Sequence, residues 1–282
     1  MSRQKRVVAI HDISCVGKCS LTVALPILSA AGIETSIIPT AVLSTHTGGF
    51  EGFTFCDLTE EIIPITDHWQ TLDLKIDGIY TGFLGSFKQL ELMEQVFDTF
   101  KRPDNIIFVD PVMADNGVMY SIFSPDFAQG MARLCGKADI IIPNITEACF
   151  MTGEEYRAGP YTKDYIETLL ERLTELGPKK IILTGVCFDE VTLGAASYDR
   201  VNGQLDYDFA PRIEGYYHGS GDVFGSAALA ALMNGFSLRE AARVAVDFTV
   251  GSIQRTKEAG TDIRYGIDFE RGLGRLITDL KL

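Results

Sequence analysis

The chain alternates between short apolar runs and longer stretches in which apolar residues recur every three or four positions. Residues 7–10, 35–38, 76–80, 106–110, 139–142 and 180–184 are brief and rich in Ile and Val, which predicts buried strands. Helical spacing predicts helices over residues 20–31, 87–100, 125–134 and 163–176. The last of these has Thr162 as its N-cap, Pro160 just before it and Gly177-Pro178 as its stop. Strands that alternate with helices of this length imply right-handed crossovers and a mostly parallel sheet with helices on both faces. Beyond Thr184 the pattern changes. Residues 191–198 and 205–210 read as an antiparallel hairpin turning at Asn202-Gly203, and helical segments follow over 222–233, 238–258 and 267–280. No repeat, low-complexity tract or linker divides the chain. Residues 1–282 therefore read as one α/β domain with an antiparallel hairpin at a sheet edge.

Composition narrows the partners. A hydrophobic share of 46% is too high for a disordered chain and sufficient for a packed core. Asp and Glu outnumber Lys and Arg by 38 to 25, a formal charge of −13 that disfavours nucleic acid or an anionic membrane as a general partner. Phosphate ligands stay open, because backbone N–H groups and a few local cations suffice to hold them. The longest uncharged stretch, 223–238, is short and broken by Gly, Ser and Asn, unlike a membrane span. The basic start runs directly into the first strand without a signal-peptide core. The six cysteines form no C-x-x-C pair, so neither a zinc site nor a disulfide scaffold is expected. These features together predict a soluble cytoplasmic protein with reduced thiols.

The segment richest in chemistry is His218-Gly219-Ser220-Gly221-Asp222. Glycines there let successive N–H groups turn toward one point, and a helix beginning at the same place adds a field that favours an anion. Asp222 at its mouth suits a base that takes a proton from an attacking alcohol; an N-cap in a glycine turn is the alternative. Residues 16–20 resemble the end of a P-loop, but Asp12 stands in place of its first Gly and Cys19 in place of Ser or Thr. Gly219-x-Gly221-x-x-x-Gly225 misses the dinucleotide fingerprint by one position.

A second group gathers at predicted strand ends, where ligands of parallel sheets collect. Asp110 follows one strand; Asn144 follows another and stands three residues before Glu147, the spacing of a helix's first turn. Oxygen donors of this kind suit Mg²⁺ bridging nucleotide phosphates, while helix capping by Asn144 and a turn at Asp110-Pro111 are the plainer uses. A third group, residues 40–49, places Ser, Thr and His46 beside two glycines and could line a small-molecule pocket; a hydrogen-bonded loop histidine is the other reading.

Taken in order, these segments resemble the ribokinase-like superfamily, and within it the bacterial pyridoxal/pyridoxamine kinases. The resemblance rests on residues 10–17, Ser44-Thr45-His46-Thr47, residues 81–86, Asp110-Pro111-Val112-Met113, Pro143-Asn144-x-x-Glu147 and Gly219-Ser220-Gly221-Asp222. It implies a three-layer α/β sandwich and ATP-dependent phosphorylation of the 5′-hydroxymethyl group of pyridoxal, pyridoxamine or pyridoxine. By position it makes Asp222 the base and Gly219, Ser220 and Gly221 the anion hole. Asp110, Asn144 and Glu147 would organise Mg²⁺ and the phosphates of ATP, with Asp110 and Glu147 nearest the metal, and Thr184 and Gly221 would meet the nucleotide. Asp12, His46, Thr47 and Phe83 would face the B6 ring, with Asp222 at its hydroxymethyl group. A homodimer and a monovalent cation such as K⁺ are further implications.

Four positions depart from the family pattern: Asp12 for Ser, Gly48 for Gln, Phe83 for Tyr and Thr184 for Lys. The related hydroxymethylpyrimidine kinases share the phosphate motifs but often carry Cys where Ser220 stands, and they are the alternative enzyme. A non-catalytic protein that binds ATP or a B6 vitamer is the alternative from another class.

Overall fold

The computed structural model describes residues 3–282. In chain order its elements begin with β1 (Arg6–Ser14), α1 (Leu21–Ala30), β2 (Glu34–Leu43), β3 (Phe55–Asp57), α2 (Ile62–Gln70), β4 (Gly78–Thr81), α3 (Phe87–Phe100) and β5 (Ile106–Val109). There follow β6 (Ala114–Asp115), β7 (Val118–Met119), α4 (Phe127–Gly136), β8 (Ile140–Ile141), α5 (Ile145–Thr152), α6 (Lys163–Glu175) and β9 (Lys180–Val186). The chain closes with β10 (Thr192–Asp199), β11 (Gln204–Pro211), α7 (Ser220–Met233), α8 (Leu238–Ala259) and α9 (Leu273–Asp279). These elements form two compact units, one of Met1–Tyr80 with Ile213–Leu282 and one of Thr81–Arg212.

In the first unit the strands lie in the order β4-β1-β2-β3. The apolar run Val7, Val8, Ala9 and Ile10 is buried along β1, as a strand covered on both faces requires. β1 and β2 pair in parallel until His11 faces Pro39; the register then slips, so that Ile13 meets Val42. Pro39 has no N–H to give to a ladder, and such an irregularity re-aims the side chains beside it. Asp12 sits within the slip, inside β1 rather than after it. α1 packs on β1 and β2 and against α7, which in turn packs on α8. α7 is buried nearly all round from Val223 to Ala231, so its small alanines admit close helix neighbours. A capping box of Ser237 and Glu240 starts α8, and left-handed Gly260 ends it.

In the second unit the order is β5-β8-β9-β10-β11. β5, β8 and β9 run parallel, whereas β9, β10 and β11 are antiparallel, so the expected hairpin closes the edge of this sheet. Thr162 caps α6 by accepting from the Tyr165 N–H, and the helix buries Ile166, Leu169, Leu170 and Leu173.

Several boundaries differ from those the sequence predicts. β2 runs well past Ile38, because Pro39 interrupts its hydrogen bonding without ending the strand. β8 shrinks to two residues. β3 and α2 are additions. The last helix starts at Leu273 instead of 267, since a short 3₁₀ turn, Glu270–Gly272, precedes it. Among the described residues no helix is long and apolar enough to cross a membrane.

Candidate active site

The first unit brings together Asp12, His46, Gly219 and Asp222. Asp12 is buried, and both of its oxygens are filled by hydroxyls: Ser20 donates to Oδ1 at 2.6 Å and Ser14 to Oδ2 at 3.1 Å. Burial pushes its carboxyl up, and the two hydroxyls oppose the shift. Ser20 opens α1 without capping it, since its hydroxyl is committed to Asp12.

His46 is the hydrogen-bonded loop histidine of the plainer reading. Its Nδ1 accepts from the Gly48 N–H at 3.1 Å, so Nε2 carries the proton and donates to the Arg264 carbonyl at 2.6 Å. Thr47 beside it is exposed. Gly48 has a reason that spans the chain: a Cβ there would stand 2.5 Å from the imidazole of His218. The His218 ring, whose pKa burial lowers, lies 5.2 Å from that of His46 and edge-on to Tyr216. Sequence reasoning passed over His218. The signal that could have found it is the loss of a side chain at position 48.

Gly219 caps α7 in the left-handed conformation, φ 73°, where a Cβ would lie 2.0 Å from the Lys18 carbonyl oxygen. The Ser220 N–H reaches back to the Tyr217 carbonyl at 3.4 Å. The N–H groups of Gly221 and Asp222 belong to the first turn, where no acceptor lies within the helix, and the space in front of Gly221 is open. Asp222 is the third residue of α7, not its first, and no side-chain hydrogen bond caps the helix, which corrects the N-cap alternative. Part of Asp222 still meets solvent, but protein closes around the carboxyl. Burial pushes it up to about 7, against a hydrogen bond from the Ser20 N–H and with the help of the Asp12 charge. A carboxylate of this pKa is poised to take a proton near neutrality. Lys18 of the P-loop-like stretch points elsewhere: its amine pairs with Glu270 at 2.8 Å and its N–H donates to the Tyr265 carbonyl.

The second unit gathers Asp110, Asn144, Glu147 and Thr184. Asp110 follows β5, is buried, and donates its N–H to the Thr81 carbonyl. Asn144 and Glu147 form a capping box on α5, so the capping use of Asn144 is real. Glu147 also accepts from the Met113 N–H at 3.1 Å while holding the Asn144 N–H at 2.8 Å. Asn144 donates its side-chain amide to the Ala114 carbonyl. Burial raises the Glu147 carboxyl and the backbone donors oppose the rise. Thr184 on β9 bridges to Asn144 and bonds the Pro143 carbonyl. Phe83 is half-buried, its ring 5.8 Å from that of Phe123.

The donor chemistry limits how a metal would be held. Among the described residues no three His, Cys, Asp or Glu side chains cluster as a cation cage. Both Glu147 oxygens already accept backbone N–H groups. The oxygen donors of Asp110 and Glu147 would fit a Mg²⁺ carried largely by phosphates and water.

A family model described as phosphomethylpyrimidine kinase matches residues 25–265. The chain belongs to the phosphomethylpyrimidine kinase family. Its fold resembles that of a phosphomethylpyrimidine kinase candidate from Bacteroides thetaiotaomicron at 37% identity and TM-score 0.94, covering 98% of this chain and 94% of that one. A second crystal form of that protein, with pyridoxal, matches at 35% identity and TM-score 0.90 over 99% and 96% of the two chains. Pyridoxal kinase of Dictyostelium discoideum is 26% identical over 84% of this chain and 80% of its own length. Hydroxymethylpyrimidine/phosphomethylpyrimidine kinase of Aquifex aeolicus is 27% identical over 67% and 71%. Vitamer and pyrimidine kinases are thus both similar to this member of the family.

Two stability predictions follow from the carboxylates. The Asp222 carboxyl binds its proton more tightly folded than unfolded, so its ionisation destabilises the fold as pH rises from about 4 through about 7. Asp222→Asn should therefore raise Tm at pH 8, and the gain should vanish below about pH 4. Calorimetry across that range checks it, and a Tm loss at pH 8 would restore a capping role. Glu147→Gln should instead cost about 1–3 kcal/mol, because an amide offers one oxygen to two N–H donors and turns its own NH₂ toward the other. Urea unfolding at neutral pH measures the loss; an unchanged midpoint contradicts the clamp.

Proposed function

We propose that the protein is a B6-vitamer kinase, transferring the γ-phosphoryl group of ATP to the 5′-hydroxymethyl group of pyridoxal, pyridoxamine or pyridoxine. The observation that carries the kinase reading is the Asp222 carboxyl, raised to about 7 in the first turn of α7. The choice of a B6 vitamer is supported by the pyridoxal held in the Bacteroides thetaiotaomicron neighbour and by Ser220, where hydroxymethylpyrimidine kinases often have Cys.

In this reading Asp222 accepts the proton of the hydroxymethyl group as its oxygen attacks the γ-phosphorus and the bond to ADP breaks. The N–H groups of Gly221 and Asp222 donate to the oxygens on which charge gathers, and the helix field adds to them. Gly219 and Ser220 shape that turn. Asp110 and Glu147 would hold Mg²⁺, which would supply charge neutralisation to the transferring phosphates. Asn144 and Thr184 are assigned to the nucleotide phosphates. His46, Thr47 and Phe83 are assigned to the side of the vitamer ring, where the two ring hydrogen bonds of His46 keep that wall fixed, whereas both oxygens of Asp12 are filled by the hydroxyls of Ser20 and Ser14. Residues 1–282 would act as one kinase domain, in a homodimer.

The test is a panel of pyridoxal, pyridoxamine, pyridoxine and hydroxymethylpyrimidine with Mg-ATP. At least one vitamer should exceed the pyrimidine in kcat/KM by about 10-fold or more. The reverse order would make the protein a pyrimidine kinase, and tight binding without ADP release would make it a sensor. With the preferred vitamer, Asp222→Asn should lower kcat by about 10²–10⁴-fold, and the wild-type kcat/KM should fall below a pH near 7. Retention of a third of the wild-type kcat, with chemistry rate-limiting, removes Asp222 as the base.

A further inference from the structure

Ser20 holds φ 51° and ψ −130°, a conformation that glycine takes freely and that strains a residue with a side chain. It also forgoes the cap that a serine in front of a helix ordinarily makes. Its hydroxyl goes elsewhere. It donates to Asp12 at 2.6 Å, and the Lys18 carbonyl two residues earlier abuts Gly219, the left-handed residue that starts the helix carrying Asp222. Asp12 meets Ser14 with its other oxygen and is buried, so protein hydroxyls occupy the carboxylate that resemblance directs toward the vitamer ring.

We propose that Asp12 and Ser20 are positioning residues for Asp222: Asp12 pins the Ser20 hydroxyl, and the pinned side chain holds a strained backbone whose Lys18 carbonyl sets the Gly219 turn that presents Asp222. The proposal rests on the reading of Asp222 as the base. The ionisable groups around the pair are few. The Cys19 thiol lies against both carboxylates and is pushed up by burial first and by their charges second, which keeps it neutral. His46 faces Asp12.

Four variants test the pair, each first checked for a cooperative thermal transition. Ser20→Ala and Ser20→Gly both remove the hydroxyl, but glycine relieves the backbone. Both should lose about 10- to 100-fold in kcat with the vitamer KM within about threefold, although Ser20→Gly is the more stable. Asp12→Asn can offer its oxygen to Ser20 and its NH₂ to Ser14. It should keep kcat within about threefold and move the acid limb of kcat/KM to lower pH, because a negative charge beside Asp222 is gone. Asp12→Ala has no acceptor and should behave as Ser20→Ala. Wild-type kcat in Ser20→Gly would show that backbone strain alone was at issue and overturn the proposal. So would kcat within about twofold of wild type in both alanine variants while Asp222→Asn is inactive. An active Asp222→Asn would instead overturn the base reading on which the proposal rests.

Discussion

If Asp222 is the base proposed, it must shed water to gain basicity, yet must not meet a cation, which would draw its pKa back down. That demand organises the first unit. The nearest charge that acts on Asp222 is another carboxylate, Asp12, and the donors that make the pair tolerable are neutral: the Ser20 N–H, the Ser20 hydroxyl and the Ser14 hydroxyl. Neutral donors satisfy lone pairs at a fraction of the Coulombic effect of an ammonium, so the raised pKa survives. The charged partners seen at the surface, such as Arg3 with Asp77 or Arg275 with Asp279, stand where solvent screening makes them weak.

Glu147 answers the same difficulty in the second unit and shows what the alternative looks like. Its two oxygens are filled by backbone N–H groups from α5 and from the strand-end segment at Met113. A carboxylate held in this way ties two chain segments together. Burial raises both carboxyls, Glu147 to about 8 and Asp222 to about 7, yet one is a clamp while the other is proposed as a proton acceptor. What separates them is how many lone pairs are already taken.

Local signals were legible in the sequence. Thr162 caps α6, Asn202-Gly203 turns the hairpin, and the Ile- and Val-rich runs are strands, because each depends on neighbours a few residues away. The glycine loop before Asp222 and the Asn144/Glu147 spacing were legible for the same reason. The slip of register at Asp12 was not, since it depends on Pro39 of a different strand. Nor was the place of Gly48, which depends on His218 some 170 positions away. Asp222 was placed two positions too early in its helix, because a glycine in the left-handed conformation, rather than the acid, turned out to precede its first turn.

The loop between β1 and α1 explains why such long-range dependence is useful. Cys15 donates its N–H to the Leu43 carbonyl, Val16 accepts from the His46 N–H, and Lys18 donates to the Tyr265 carbonyl. Gly219 brings the catalytic turn against the Lys18 carbonyl itself. Backbone from three separate parts of the chain therefore fixes the loop that presents Ser20. Backbone contacts are the part of a site that a side-chain substitution alters least. Such a frame can hold one residue in a strained conformation, because the surroundings over-determine it. If Asp222 is the base proposed, its pKa depends first on burial and then on the Ser20 N–H and the Asp12 charge, and small displacements would change all three at once.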